Sequence, residues 1–303
     1  MAASFSRLFA FVVVVSAACT AGTPSTGAAT GRVRVLATTG LVGDAVQRVG
    51  SDAIDIALLL PPDADPHAYD LQPQDLVRVA DADIVFANGA GLETFLDRLV
   101  TSAGGDAWVV SVSEGVPLRT PSGAHAGETD PHVWLDPTNV EIWTQNIEAA
   151  LAQFDPAGAK TYASNAAQYR AELAALDAWI EMQLSAIPPA DRLIVTDHDE
   201  LGYFADKYKF EIVGTIVPAY STVAEPSAQQ IADVENAVHG LGASAIFVGT
   251  PVNRDLAAQV AADTGVELVG LYTASLSLPD GPAATYIDMM HYNVSAIVDA
   301  LSR

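Results

Sequence analysis

The chain has 303 residues, and 14 Lys and Arg stand against 37 Asp and Glu, which gives a formal net charge of −23 at pH 7. This acidic balance excludes a protein that binds nucleic acid through phosphate contacts, because few cations are present to neutralise phosphates. The length is enough for one large domain or two of ordinary size. Half of the residues are hydrophobic, which suffices for a packed core.

The chain begins with a targeting segment. An apolar run of eleven residues, "LFAFVVVVSAA", follows Arg7. It is too short to span a bilayer and is typical of a signal peptide, which we predict over residues 1–18. Cys19, the only cysteine, comes after three small residues, as in the cleavage site of a bacterial lipoprotein. We therefore expect an extracytoplasmic protein, at the cell surface or in the periplasm, that is lipid-anchored through Cys19. Simple secretion is the alternative, because Ser16 stands where such sites usually carry an aliphatic residue. Residues 19–31 are small and polar, which predicts a flexible tether.

Short apolar runs alternate with helical patterns from residue 32 onward. The predicted strands are 33–37, 54–60, 84–87 and 108–112 in the first half, and 193–196, 211–217, 245–248 and 267–271 in the second. Predicted helices between them include 40–49, 91–100, 226–240 and 255–264. Such alternation is typical of βαβ units and parallel sheets. We therefore predict an α/β fold with two lobes, over residues 32–154 and 188–303, each with a roughly four-stranded parallel sheet flanked by helices.

A long helical pattern separates the two predicted lobes, over residues 155–187. Its apolar positions recur with the period of one helix face and are Tyr162, Tyr169, Leu173, Leu176, Ile180, Leu184 and Ile187. Asp155 is a suitable N-cap, Pro156 suits the first helical position, and Pro188 and Pro189 end the pattern. A helix of this length spans roughly 45 Å. We expect it to join the lobes stiffly.

Three histidines follow predicted strands of the two lobes. His67 comes after strand 54–60, His132 after the loop beyond strand 108–112, and His198 directly after strand 193–196. In open α/β sheets, ligands bind at the carboxyl ends of the strands. A cleft between the lobes would therefore bring these side chains together as a metal site.

Two of these histidines share an uncommon tripeptide, in "DPHAYD" and "DPHVWLDP". Pro66 and Pro131 stiffen the loops that present them, which lowers the entropy lost when ligands are ordered around a metal. A neighbouring carboxylate can accept the second imidazole N–H and raise the basicity of the ligand. The sequence leaves open which carboxylate reaches which ring; the candidates are Asp65, Asp130, Asp197 and Asp199.

The other histidines receive different interpretations. His239 precedes a glycine at a predicted helix end, and His291 lies inside the final helix, so both are expected to be structural. His125 lies in the loop before His132 and could capture metal transiently.

The segments "PPDADPHAYDLQPQD", "DPHVWLDP", "TDHDELGYFADKY" and "GPAATYIDMMHYNV" resemble, in the same order, those of the solute-binding proteins of bacterial zinc and manganese ABC importers. The resemblance runs from Val33 to the C-terminus. It implies two α/β lobes joined by one long rigid helix, with a metal between them held by His67, His132 and His198. It also implies a membrane permease as the partner and no enzymatic activity. We expect a monomer.

One position departs from the family pattern. Such proteins often take a fourth ligand from an Asp in a segment like "YTDSLS", and this chain has "YTASLS", with Ala274 at that place. We expect Ala274 to face the cleft beside the histidines. Water is the expected fourth ligand, because zinc is usually four-coordinate. The other candidates are Asp280, Glu128, Asp130 and His125.

Three neutral imidazoles suit zinc better than manganese, which prefers oxygen ligands. We therefore predict the zinc-binding branch and Zn²⁺ as the transported ligand. A manganese carrier of the same family is one alternative. A secreted zinc hydrolase with an open fourth position is another, although the sequence has no H-E-x-x-H, no G-x-S-x-G and no phosphate-binding loop.

Overall fold

The computed structural model describes residues 31–62, 64–104, 107–119, 128–250 and 254–302. The predicted signal peptide, Cys19, the tether up to residue 30 and His125 lie outside these ranges. No helix within them combines the length and the apolar composition that a membrane span requires.

The N-terminal half of the described chain forms a four-stranded parallel sheet. Its strands are β1 (Val33–Ala37), β2 (Ile54–Leu58), β3 (Ile84–Ala87) and β4 (Trp108–Ser111). Helices α1 (Gly40–Gly50), α2 (Pro73–Asp81) and α3 (Leu96–Ala103) connect successive strands. The strand order is β2-β1-β3-β4, so the continuously apolar β3 is central and fully buried, as expected for a strand covered on both faces.

Two helices, and not one, occupy the region between the sheets. They are α4 (Pro137–Phe154) and α5 (Ala159–Leu184). The predicted helix over 155–187 is therefore wrong at its start and slightly long at its end. Asp155 accepts hydrogen bonds from the Ala157 N–H (3.2 Å) and the Tyr162 hydroxyl (2.8 Å), and its carbonyl accepts from the Gly158 N–H (3.1 Å). These bonds stabilise a turn at Asp155, which ends α4 instead of capping α5.

The C-terminal half repeats the architecture of the first. Its strands are β5 (Leu193–His198), β6 (Glu211–Val217), β7 (Ala245–Thr250) and β8 (Glu267–Tyr272). Its helices are α6 (Gly202–Tyr208), α7 (Ala228–Leu241), α8 (Asp255–Thr264) and α9 (Tyr286–Leu301). The strand order is β6-β5-β7-β8, all parallel. The prediction of an α/β fold with two four-stranded parallel sheets is confirmed, whereas α2, α4 and α6 had not been assigned.

The start of α3 and the end of β5 differ from the predicted positions. The helix predicted over 91–100 begins only at Leu96, because Gly89, Ala90 and Gly91 adopt φ values of 76°, 51° and 87°, outside the helical region. Strand β5 continues to His198, so this histidine is the last residue of the strand itself.

Helix α5 packs against α1 from the first half and α9 from the second, as well as against α4. Its buried face carries Ala166 and the residues that the periodicity predicted, except Ile187, which is buried just beyond the end of the helix. One hydrophobic cluster accordingly includes side chains from both sheets and from α5, such as Phe86, Leu173 and Phe247.

Trp134 adds polar links between the halves: its indole N–H donates to the Thr273 carbonyl (2.7 Å), and its own carbonyl accepts from the Tyr286 hydroxyl (2.7 Å). The two sheets therefore share one core. The division at residues 154 and 188 stays a prediction.

Truncation of the buried face of α5 should destabilise the whole protein. Leu173 is 0% exposed, so Leu173→Ala is expected to lower the free energy of unfolding by about 2–5 kcal/mol through lost burial and a residual cavity. Met182 lies in the same helix and is 61% exposed, so Met182→Ala is the matched control and should change stability by less than about 0.5 kcal/mol. Chemical denaturation measures both, and equal effects would contradict this account of the helix.

Candidate metal centre

Each of the three histidines is presented by a strand end or by the loop that follows a strand. His198 ends β5, a central strand of the second sheet. His67 lies between β2 and α2, and His132 lies between β4 and α4, immediately before a short 3₁₀ turn, Val133–Leu135. The strands are parallel within each sheet, so all three positions fall at carboxyl ends of strands.

The structure brings the three imidazole rings together. The ring centroids are 5.2 Å apart for His67 and His132, 5.7 Å for His67 and His198, and 5.4 Å for His132 and His198. The Nε2 atoms of His67 and His132 are 3.1 Å apart, and one ring nitrogen from each histidine lies within 4.8 Å of the others. His132 and His198 are buried and His67 is half-buried. The cluster is therefore enclosed and reached most directly from the side of His67.

Buried carboxylates orient two of the rings. The Nδ1–H of His132 donates to Asp130 Oδ1 (2.9 Å), and the Nδ1–H of His198 donates to Asp197 Oδ2 (3.1 Å). Asp199 instead accepts from the Thr215 hydroxyl (2.7 Å). With Nδ1 protonated in each ring, the Nε2 lone pairs are left to face the cluster, which is the tautomer that a metal ligand needs.

Asp130 is itself held by a charged partner. Its Oδ2 accepts from Arg119 Nη1 (2.7 Å), while Arg119 Nε donates to Asp206 (2.7 Å). Burial alone would raise the pKa of Asp130, but hydrogen bonds from His132 and Arg119 hold this pKa below its usual range. Gly202 makes the approach possible, since a Cβ there would lie 2.8 Å from Asp130 Oδ2 and would overlap the Arg119 guanidinium.

The loop that carries His67 is fixed differently. Asp65 Oδ1 accepts from the backbone N–H of His67 (2.8 Å) and not from its ring, and Asp65 Oδ2 accepts from the hydroxyl of Thr222 in the other half. Further along, the buried Asp75 accepts from the Tyr69 hydroxyl (2.9 Å) and the Gln72 N–H (2.8 Å). The acidic residues of "DPHAYDLQPQD" thus shape the loop backbone.

The three imidazole rings differ in pKa because their electrostatic environments differ. Burial lowers the pKa of His67 to about 2, reinforced by repulsion from His132 and His198, and burial also lowers the pKa of His132. Both rings are therefore neutral at pH 7, as ligands must be. Burial would lower the pKa of His198 too, but the charges of Glu200 and Asp197 outweigh it and raise this pKa to about 9.

Glu200 is a buried residue of the site that the sequence analysis did not identify. It is 1% exposed, and its Oε2 lies 3.5 Å from His198 Nε2. Burial raises its pKa. Asp197, His198 and Glu200 form a second group of side chains whose ligand atoms lie within 4.8 Å of one another. The sequence feature that could have identified Glu200 is the spacing in "TDHDEL", where an acidic residue comes two positions after a histidine that ends a strand.

The other candidates lie elsewhere or are already engaged. Asp280 and Glu128 are exposed, and the structure does not group them with the histidines among the described residues. Ala274 is buried and lines an apolar cavity of about 290 Å³ beside Thr39 and Leu60. Its predicted orientation toward the histidines stays a prediction.

The two remaining histidines in the described ranges make local contacts on helices. His239 Nδ1–H donates to the Glu235 carbonyl within α7 (2.8 Å). The ring of His291 packs on Trp179, with the ring centroids 4.0 Å apart.

These features define a two-lobed metal-binding protein. They are two similar parallel sheets flanked by helices, one helix packed on both halves, and a buried cluster of three histidines at the carboxyl ends of strands. The model of the family described as "ZnuA: Zinc-uptake complex component A periplasmic" matches residues 35–300, and the chain belongs to this family. Its members are metal-binding components of transport systems and not enzymes, so the hydrolase alternative is not retained.

Relatives named for different metals are similar to this chain over nearly their whole length. The manganese-binding lipoprotein MntA of Halalkalibacterium halodurans is 34% identical over 99% of this chain and 98% of its own. The iron-binding protein YfeA of Yersinia pestis is 30% identical over 98% of this chain and 94% of its own. The solved structure of the periplasmic zinc-binding protein TroA of Treponema pallidum superposes with a TM-score of 0.84 at 27% identity, covering 90% of this chain and all of that one. The chain is accordingly a metal-binding, substrate-binding protein of an ABC importer, and family membership alone does not select the metal.

Metal binding should release protons near neutral pH. The raised pKa values of His198 and Glu200 mean that this facing pair retains at least one proton at pH 7 in the metal-free protein. A metal must displace that proton to reach His198, so acid weakens binding and the apparent affinity should rise up to ~10-fold per pH unit for each proton displaced. Titration calorimetry of Zn²⁺ binding in buffers of different ionisation enthalpy measures the number released. An affinity that is the same at pH 7 and pH 8, with no proton release, would contradict the prediction.

Proposed function

We propose that this protein captures Zn²⁺ outside the cytoplasm, holds it with His67, His132 and His198, and delivers it to the membrane permease of an ABC importer. The spacing of the ligand atoms carries the proposal. Four ligand atoms arranged tetrahedrally at 2.0–2.1 Å from zinc lie about 3.3 Å from one another. The 3.1 Å between the Nε2 atoms of His67 and His132 matches such an edge.

The donor set supports zinc over manganese. Three imidazole nitrogens suit zinc, while manganese prefers carboxylate, carbonyl and water oxygens. The second candidate is manganese, and it is favoured by the 34% identity to a manganese-binding lipoprotein and by the carboxylate of Glu200 beside His198.

The arrangement of the two halves supports release through loop movement. Helix α5 packs on both halves within a shared core, which opposes wide separation of the sheets. His67 is the most accessible of the three histidines, and the Thr222 hydroxyl is a polar link from the other half to its loop. Breaking that link and moving the His67 loop would open the cluster at small cost.

We further propose that the protein acts as a monomer anchored by lipid through Cys19. The lipid-anchor site in the sequence supports this location, and several relatives carry lipoprotein in their names. The tether over residues 19–31 would then let the metal-loaded body reach the permease.

The ligands are tested with the exported protein, purified and stripped of metal. It should take up one Zn²⁺ per chain, and His67→Ala, His132→Ala and His198→Ala should each weaken binding by about 100-fold or more, since even loss of an outer-shell partner costs 10–100-fold. His239→Ala is the control, because this exposed histidine donates to a carbonyl of its own helix and, among the described residues, is not grouped with the three histidines. Competition with a chelator measures each affinity.

Two outcomes would contradict the proposal. Unchanged zinc affinity after replacement of any one of the three histidines would remove that residue from the site. Displacement of bound Zn²⁺ by an equal concentration of Mn²⁺ would favour the manganese candidate.

A further inference from the structure

We propose that Glu200 supplies the fourth metal ligand, through its Oε2 atom. The inference rests on the proposed function, because it takes His67, His132 and His198 as the other three ligands. It replaces the expectation of a water molecule, and it differs from the carboxylates considered from the sequence.

Burial and one oxygen without a hydrogen-bond partner mark this carboxylate. Glu200 is 1% exposed, and within the described part of the chain its Oε2 has no hydrogen-bond partner. The Nε2 of His198 is buried and without a hydrogen-bond partner in the same sense. Burying a charged group without compensation is costly. A cation bound by both atoms would satisfy them together.

Two of the distances fit a shared ion. The 3.5 Å between Glu200 Oε2 and His198 Nε2 is close to the ~3.3 Å edge of a tetrahedral zinc site. The 3.1 Å between the Nε2 atoms of His67 and His132 is close to the same value. In a tetrahedron built from these four groups, the two pairs form opposite edges of about the right length. Among the described residues Glu200 is grouped within 4.8 Å with His198 and Asp197 and not with His67 or His132, so its side chain has to move toward these two rings when the ion binds.

A tight turn places the carboxylate. The backbone N–H of Glu200 donates to the carbonyl of His198 (2.8 Å), so the chain folds back directly after β5. A Cβ on Gly249 would lie 3.0 and 3.2 Å from the two oxygens of Glu200 and would overlap Thr273 Oγ1. Gly249 therefore leaves the space that the carboxylate occupies at the ends of β7 and β8.

Other acids around the cluster already have partners. Asp130 accepts from His132 and Arg119, and Asp197 accepts from His198 and from the Gly249 N–H (3.3 Å). Asp65 holds the His67 backbone and Thr222. Glu200 Oε2 is thus distinguished from the oxygens of these three aspartates, because it faces a ligand nitrogen and accepts no hydrogen bond from the described residues.

The test compares Glu200→Gln with wild type and with Asp280→Asn, an exposed acid that serves as the matched control. Glu200→Gln keeps the shape and removes the charge, and it should weaken Zn²⁺ binding about 100-fold or more, while Asp280→Asn should leave it unchanged. Glu200→Asp retains a carboxylate with a shorter reach and should lie between them. Thermal unfolding of the metal-free variants checks that each one folds.

The visible spectrum of bound Co²⁺ separates a ligand from an ion-pair partner. If Glu200 binds the metal, Glu200→Gln should change the position and intensity of the Co²⁺ bands; if it only pairs with His198, the bands should stay as in wild type. Unchanged bands, or a zinc affinity within threefold of wild type, would overturn the inference while leaving the three-histidine site in place. Failure of the wild-type protein to bind one Zn²⁺ per chain would instead overturn the proposed function.

Discussion

The pairing of a buried carboxylate with a buried imidazole is the interaction on which the site depends. Asp130 accepts from the Nδ1–H of His132 and Asp197 accepts from the Nδ1–H of His198, and each bond turns the Nε2 of its ring inward. A buried carboxylate is tolerated only with partners, and Arg119 supplies a second one for Asp130. The space that Arg119 needs comes from the absence of a side chain at Gly202. A residue on α6 in the second half is therefore required for the geometry of a histidine in the first.

The fold makes this pairing possible by joining the carboxyl ends of two sheets through one core. Helix α5 packs on α1 and α9, and Trp134 donates to Thr273 across the two halves. Close packing of this kind leaves little freedom for hinge motion. The loop of His67 is held less tightly, since His67 is half-buried and Asp65 links this loop to the other half through Thr222.

The proposed donors combine nitrogen and oxygen. Three imidazoles favour zinc, whereas the Glu200 carboxylate would add a hard oxygen and a negative charge close to His198. The relatives carry manganese, iron and zinc in their names on the same fold, so the architecture alone does not select the metal. The raised pKa values of His198 and Glu200 add a predicted dependence of metal binding on pH.

The sequence by itself determined the eight strands to within a few residues, the apolar face of α5 and the three histidines, because these follow from periodicity and from the parallel-sheet rule. Local patterns were insufficient at Asp155, where side-chain bonds to Ala157 and Tyr162 formed a turn in place of a helix start. Only the tertiary structure decided between Asp197 and Asp199 as the partner of His198, since both are adjacent in sequence and Thr215 engages one of them. It alone placed Glu200 against His198. The space for that carboxylate comes from Gly249, which is far away in the chain, and no local pattern shows that these two residues lie side by side.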